Sequence, residues 1–212
     1  MTLGFTVLDI AAEPYAVTPQ LTAKLRIADD AGRRVHAMTL RCQVRVEPQR
    51  RGYDTAEGEA LRGLFDGRER WLDTVRPFPW LRCDTTVPGF AGATEVDVAL
   101  PCTYDLDVVG TRYLHALTAG DVPLTFLFSG TVFVPGATGF AVEPVPWDRA
   151  ANYGLPVAVW RQLIEQYFPG TGWIRLDREV LDALAAVRAR RGQVSWDETI
   201  RSLLPRPDGV VA

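Results

Sequence analysis

Two neighbouring stretches alternate apolar and polar residues with a period of two, and this constrains the fold more than any other feature of the chain. Leu21, Ala23, Leu25 and Ile27 are separated by Thr22, Lys24 and Arg26. Met38, Leu40, Cys42, Val44 and Val46 repeat the pattern against Thr39, Arg41, Gln43 and Arg45. Successive side chains of a strand point to opposite faces, so each stretch reads as a strand with one buried and one wet face. The short glycine-containing link between them predicts an antiparallel hairpin lying in one sheet. In that arrangement Lys24, Arg26, Arg41 and Arg45 share one basic outer surface. Solvation and edge protection account for such a surface, with an anion site as the sharper alternative.

A longer alternation runs from Val96 to Val108, interrupted at Pro101, which has no N–H to give a ladder and therefore predicts a bulge or a break. Further strands are expected over residues 5–11, 81–87, 123–134 and 138–145. Glu13-Pro14, Glu47-Pro48 and Glu143-Pro144 fall where alternation ends, as strand stops should. About seven or eight strands, with helices confined to one insert and the tail, favour a sandwich over an alternating βαβ layout. The expected class is mainly β, α+β overall: an antiparallel β-sandwich with a short inserted helix and a C-terminal helical tail.

The inserted helix is expected near 54–66, where Asp54 caps, Glu57 completes a capping box, and Leu61, Leu64 and Phe65 form an apolar stripe. A helix over 156–168 ends at Pro169-Gly170. Asp177 is placed to cap the next helix, with Val180, Leu181, Leu184 and Val187 inward and Arg188, Arg190 and Arg191 at its C-terminal end. Ser195 and Glu198 form a capping box for a short helix reaching Leu204. The expected organisation is a sandwich domain over 1–152, a helical appendage over 153–205 packed on it, and a frayed end over 206–212. A homodimer is the other way to cover the tail's apolar stripe.

With 212 residues, 47% hydrophobic and 23% charged, the chain is long enough to bury a sizeable core without disulfides or metals. A net charge of -3 and a pI near 5.5 argue against general nucleic-acid binding. No apolar run approaches the length of a membrane span. The first residues lack the basic and apolar regions of a secretion signal, so a cytoplasmic location is expected. In that compartment Cys42, Cys83 and Cys102 remain thiols and read as small hydrophobes.

The chemical inventory is small. The serines are Ser129, Ser195 and Ser202, and the histidines are His36 and His115. Ser195 serves as a helix cap, and Phe128-Ser129-Gly130-Thr131 lacks the earlier glycine of a nucleophile elbow. Widely spaced cysteines and histidines offer no zinc spacing, and Asp105 and Asp107 lack the remainder of a calcium loop. Gly89-Phe90-Ala91-Gly92 and Gly136-Ala137-Thr138-Gly139 read as turns, not phosphate cradles. No catalytic, cofactor-binding or metal-binding residue is therefore assigned, and no cofactor is expected. A Pro-x-Pro-Trp pattern occurs at Pro77 to Trp80 and again at Pro144 to Trp147. Trp80 and Trp147 are expected to cover the ends of the core, and polyproline docking is the alternative. With Lys24, Arg26, Arg41 and Arg45 they make up the candidate interaction surface.

Several stretches together carry a family resemblance: residues 35–51 (VHAMTLRCQVRVEPQRR), Pro88-Gly89-Phe90, Pro101-Cys102-Thr103-Tyr104-Asp105, residues 128–133 (FSGTVF) and Val145-Pro146-Trp147-Asp148. The chain resembles an uncharacterised bacterial family of high-GC organisms whose genes tend to lie near uptake nickel-iron hydrogenase clusters. That resemblance implies an accessory, assembly or maturation role beside the hydrogenase, and it carries over no functional residue. The expectation is a non-catalytic cytoplasmic binding protein with a protein partner. The alternative is an enzyme with a carboxylate-based site between the sandwich and the helical tail.

Overall fold

In the computed structural model, the alternating residues divide as the period of two requires. Leu21, Ala23, Leu25 and Ile27 are buried, as are Met38, Leu40, Cys42, Val44 and Val46. The structure describes residues 3–105, 108–137 and 139–205. Strands β1 (Leu3–Ala12), β2 (Gln20–Asp29) and β5 (Ala93–Pro101) form one antiparallel sheet in the order β1-β2-β5. The second sheet has the order β4-β3-β6-β7, from β3 (Arg34–Val46), β4 (Phe78–Ala91), β6 (Asp121–Gly136) and β7 (Gly139–Pro144). Strand β8 (Ala150–Pro156) also pairs with β6. The two sheets make an antiparallel sandwich in a mainly β, α+β fold.

The hairpin expected for residues 21–46 is not formed. Strand β2 pairs with β1 and β5, and β3 pairs with β4 and β6, so the link carries the chain from one sheet to the other. Alternation requires only that both apolar faces look inward, and sheets that face each other meet that requirement as well as adjacent strands do. Facing sheets lie about 10 Å apart, a gap the link can span. Asp29 anchors the crossing: its buried carboxylate accepts from the Arg33 backbone N–H and from Arg33 Nε at 2.9 Å. Burial works to raise its pKa, but Arg33's hydrogen bond and charge, with backbone donors at Ala31 and Arg33, outweigh that and hold it below the usual carboxylate range.

Between the sheets Phe5 of β1 stacks on Phe128 of β6 with ring centroids 4.4 Å apart. Strand β6 serves two partners in turn, pairing β8 over Asp121 to Leu127 and β7 over Thr131 to Gly136. Gly130 sits at the change, with φ +151°, where a Cβ would overlap the Thr39 carbonyl oxygen. Its own carbonyl accepts from Val145 N–H at 3.0 Å, and Arg149 O accepts from Phe128 N–H, so the β7–β8 turn fills the gap along the edge.

The insert between β3 and β4 carries α1 (Thr55–Phe65) and the short α2 (Trp71–Thr74). Asp54 caps α1 through Glu57 N–H, as expected, whereas the Glu57 side chain turns inward to Arg51 instead of closing the box. Helix α3 (Val109–Ala116) lies outside the insert and the tail to which the sequence reading confines helices, and β5 ends at Pro101, short of the Val108 limit of the alternation. The β-branched and glycine residues of α3 are poor helix formers, and tertiary contacts hold it: Thr111 donates to Thr103 O, and Gly110 lets the Trp80 ring approach closely. Helix α4 (Val157–Tyr167) buries Val157, Trp160 and Leu163, and Tyr167 donates to Ala16 O at 2.6 Å.

Chain contacts divide the protein after Trp173, later than the sequence boundary at 152, because β8 runs across that boundary and α4 enters the first unit's core. The second unit holds α5 (Arg178–Arg191) and α6 (Trp196–Leu203). Asp177 stands at the α5 N-cap without a side-chain capping bond, while Ser195 caps α6 through Glu198 N–H. Val180 and Leu181, expected inward, are exposed, and Arg188 lies over the Trp196 ring. Leu106, Asp107, Thr138 and the expected frayed end fall outside the described residues. Among the described residues, no helix is long and apolar enough to cross a membrane.

The face assignment predicts opposite outcomes for adjacent residues. Leu40→Asp places a charge in the core and should cost about 3 kcal/mol or more, whereas Thr39→Asp should change stability by less than about 0.5 kcal/mol. Urea unfolding of both variants measures the difference.

Candidate functional site

The four basic residues expected on one surface lie on two. Lys24 and Arg26 project from the outer face of the β1-β2-β5 sheet, and Arg41 and Arg45 from that of the other. The register sets Lys24 between Asp9 and Asp97, and Arg26 opposite Glu95. Arg41 is paired with Asp84 at 3.0 Å, with both side chains well exposed, and Arg45 lies between Pro79 and Thr125. Exposed cross-strand pairs of this kind contribute at most about 1 kcal/mol each. On the β1-β2-β5 face the acidic neighbours offset both cations.

The two tryptophans also separate. Trp80 is half-buried, edge-on to Trp160 at 6.2 Å, and packed on Gly110, so it covers the core as expected. Trp147 does not: it is 93% exposed at the tip of the β7–β8 turn. That turn is fixed by Arg149 N–H to Pro146 O and by the two bonds to β6 described above. Beside it, edge strand β7 exposes Phe140 and Val142, at 66% and 58%. Phe140 meets the edge of Phe133 on its neighbour β6, at 5.7 Å. Alternation over residues 139–144 is the signal for the strand, but nothing in the sequence marks it as an edge with large apolar groups facing water.

The densest polar cluster lies in the insert. Arg51 and Glu57, with side chains only 10% and 3% exposed, pair at 3.0 Å. Glu57 also accepts from Thr118 N–H at 2.8 Å, and Arg51 donates to Ala119 O, so the pair ties α1 to the segment after α3. Tyr53 OH donates to Pro48 O at 2.7 Å, which leaves Tyr113 OH to donate to Tyr53 at 2.8 Å. Burial pushes the Tyr113 phenol up to about 12 and Tyr53 higher still. Both therefore stay neutral near pH 7. Arg51, Tyr53, Trp71, Arg76 and flanking prolines line a cleft of about 400 Å³. Its polar groups bond to one another and to backbone at Pro48, Thr118 and Ala119, while Arg51 Nη1 is buried without a hydrogen-bond partner. Sequence reading missed the cluster because its members are spread from residue 48 to 119 and only the fold assembles them.

The catalytic inventory stays dispersed. His115 lines a separate surface depression with Trp160, Arg161 and Glu165. Partial burial and the nearby Arg161 lower its pKa, favouring neutral imidazole. Ser129 lies on the outer face of the second sheet, opposite Arg41. Among the described residues, no three His, Cys, Asp or Glu side chains are grouped to hold a metal.

These features define a class of protein: a two-sheet antiparallel sandwich with a helical insert braced by a buried ion pair, and an apolar edge ending in an exposed indole. The chain belongs to a family of unknown function, DUF6084, whose profile matches residues 1–211. No curated protein matches it. Among solved structures it is similar to a late embryogenesis abundant (LEA) protein, at 13% identity and TM-score 0.34, covering 73% of this chain and 71% of that one. It is also similar to a β-glucosidase from Kluyveromyces marxianus, at 8% identity and TM-score 0.25, and to β-glucosidase 3B from Thermotoga neapolitana, at 11% and 0.26. The two matches cover 72% of this chain but only 15% and 17% of those enzymes.

Removing one member of the insert's ion pair should be worse than removing both. Glu57→Gln leaves Arg51 buried without a counter-charge and should cost about 3 kcal/mol, while Arg51→Met with Glu57→Leu should lie closer to wild type. Urea denaturation of the three proteins checks this. A Glu57→Gln cost below about 0.5 kcal/mol would mean the pair is solvated.

Proposed function

We propose that this protein is a non-catalytic binding or accessory module that docks a protein partner along edge strand β7 and the turn carrying Trp147. The carrying observation is the 93% exposure of Trp147 beside exposed Phe140 and Val142 on one edge strand. The hydrogen-bonded turn fixes the backbone that carries the indole, so little backbone entropy remains to be lost on binding. Tryptophan is also enriched among residues that dominate interface energetics. An edge strand adds unpaired main-chain donors and acceptors, to which an extended segment can bind as a further strand. Lys24, Arg26, Arg41 and Arg45 are rim groups at most in this reading, because acidic neighbours offset Lys24, Arg26 and Arg41. The family resemblance supplies the narrower proposal of a cytoplasmic partner from nickel-iron hydrogenase assembly or maturation.

Affinity capture from the native host at native expression, followed by titration of the recovered partner, tests this reading. Trp147→Ala and Val142→Lys should each weaken binding by about 30-fold or more, the effect of losing roughly 2 kcal/mol at a dominant contact. Lys24→Glu should leave binding nearly unchanged. Recovery of no partner, or equal binding by all three variants, would contradict it.

A further inference from the structure

Cys42 and Cys83 stand directly opposite each other in the β3–β4 register, and both side chains turn into the core, at 2% and 8% exposure. Antiparallel partners have Cα atoms about 4.5 to 5.5 Å apart. A disulfide spans about 4.4 to 6.8 Å between Cα atoms, so the ladder already holds the pair at bonding separation. The two side chains also share a face, as the bond requires. Cys83 Sγ lies 3.9 Å from the Cys42 carbonyl oxygen, so its thiol points across the strand gap. Cys102 is elsewhere, just beyond β5, with its thiol donating to Leu100 O at 3.3 Å.

We propose that Cys42 and Cys83 form a two-electron redox site, a dithiol that a peroxide closes to a disulfide within the folded sheet. The Cys83 thiolate attacks one oxygen of hydrogen peroxide; an S–O bond forms, the O–O bond breaks, and the leaving hydroxide takes a proton to become water. The Cys42 thiol then attacks the sulfenic sulfur of Cys83 and gives its proton to the departing hydroxide; the S–S bond forms, the S–O bond breaks, and a second water leaves. Two thiols and one peroxide give one disulfide and two waters, the sulfurs losing the two electrons the peroxide gains. Cys83 is the first to react because it is the more exposed and because the Cys42 thiol can donate to its thiolate, which lowers its pKa and raises that of Cys42.

The bond would close the chain between residues 42 and 83, the loop that carries α1, α2 and the whole Arg51–Tyr53–Trp71 cleft. Oxidation therefore clamps the base of the insert without rearranging the strands.

Exposing the folded full-length protein to hydrogen peroxide, then quenching, denaturing and alkylating it for intact-mass and peptide analysis, tests the site. The mass before alkylation should fall by about 2 Da, the two hydrogens lost on closing one disulfide. Alkylatable cysteines should drop from the three free ones to Cys102 alone. Amides of β3 and β4 should remain protected from hydrogen exchange throughout, and dithiothreitol should restore all three thiols. Cys102→Ser should leave the reaction intact, and Cys83→Ser should abolish it. The proposal is overturned if the thiols stay alkylatable, if the linked pair includes Cys102, or if the disulfide forms only after β3–β4 protection is lost.

Discussion

Every other feature of the first unit hangs on the burial of two strand faces against each other. Phe5 on Phe128 marks the contact, and Leu25, Ile27, Leu40, Val44 and Phe126 extend it. Burying one such side chain is worth about 1.5 to 3 kcal/mol, so the inner faces together supply the dominant favourable term. That contact also decides what must be built around it. The chain has to cross between sheets, which Asp29 and Arg33 secure, and the open ends of the sandwich have to be covered, which the insert, α3 and α4 do with Leu61, Tyr113 and Trp160.

The covering elements explain why polar groups were buried at all. Joining α1 to the segment after α3 leaves backbone donors and acceptors at Thr118 and Ala119 without strand partners, and Glu57 and Arg51 satisfy them. A buried pair gains little over apolar packing, but once present each member depends on the other. The β7 edge differs, because Phe140 and Val142 there are large apolar side chains left exposed to water.

Strand faces were readable from sequence because a period of two forces them, and Leu40 inward with Thr39 outward needed no knowledge of topology. Pairing was not readable, since Leu21 to Ile27 and Met38 to Val46 satisfy the same pattern in one sheet or in two facing ones. Helix α3 was hidden because Val109, Gly110 and Thr111 do not favour a helix, and the contacts with Thr103 and Trp80 that compensate come from elsewhere in the chain. Strand β8 carries only a short alternation, Ala151, Tyr153 and Leu155 against Asn152 and Gly154, and it pairs with the free edge of β6. Of the expected interaction residues, the exposure of Trp147 and the burial of Trp80 have the same local sequence signal, Pro-x-Pro-Trp. Only their surroundings separate them: Gly110 and Trp160 receive one indole, and a tight turn presents the other to water.

The central claim is that β2 and β3 lie in opposite sheets, and backbone nuclear Overhauser contacts measure this directly. Cross-strand contacts should connect Leu25 with Val7 and Val96, and Leu40 with Thr85 and Gly130. Side-chain contacts should join Phe5 to Phe128 across the core. A continuous ladder of backbone contacts between residues 21–29 and 34–46 would contradict the account, because it would place both strands in one sheet and leave the facing arrangement without its first crossing.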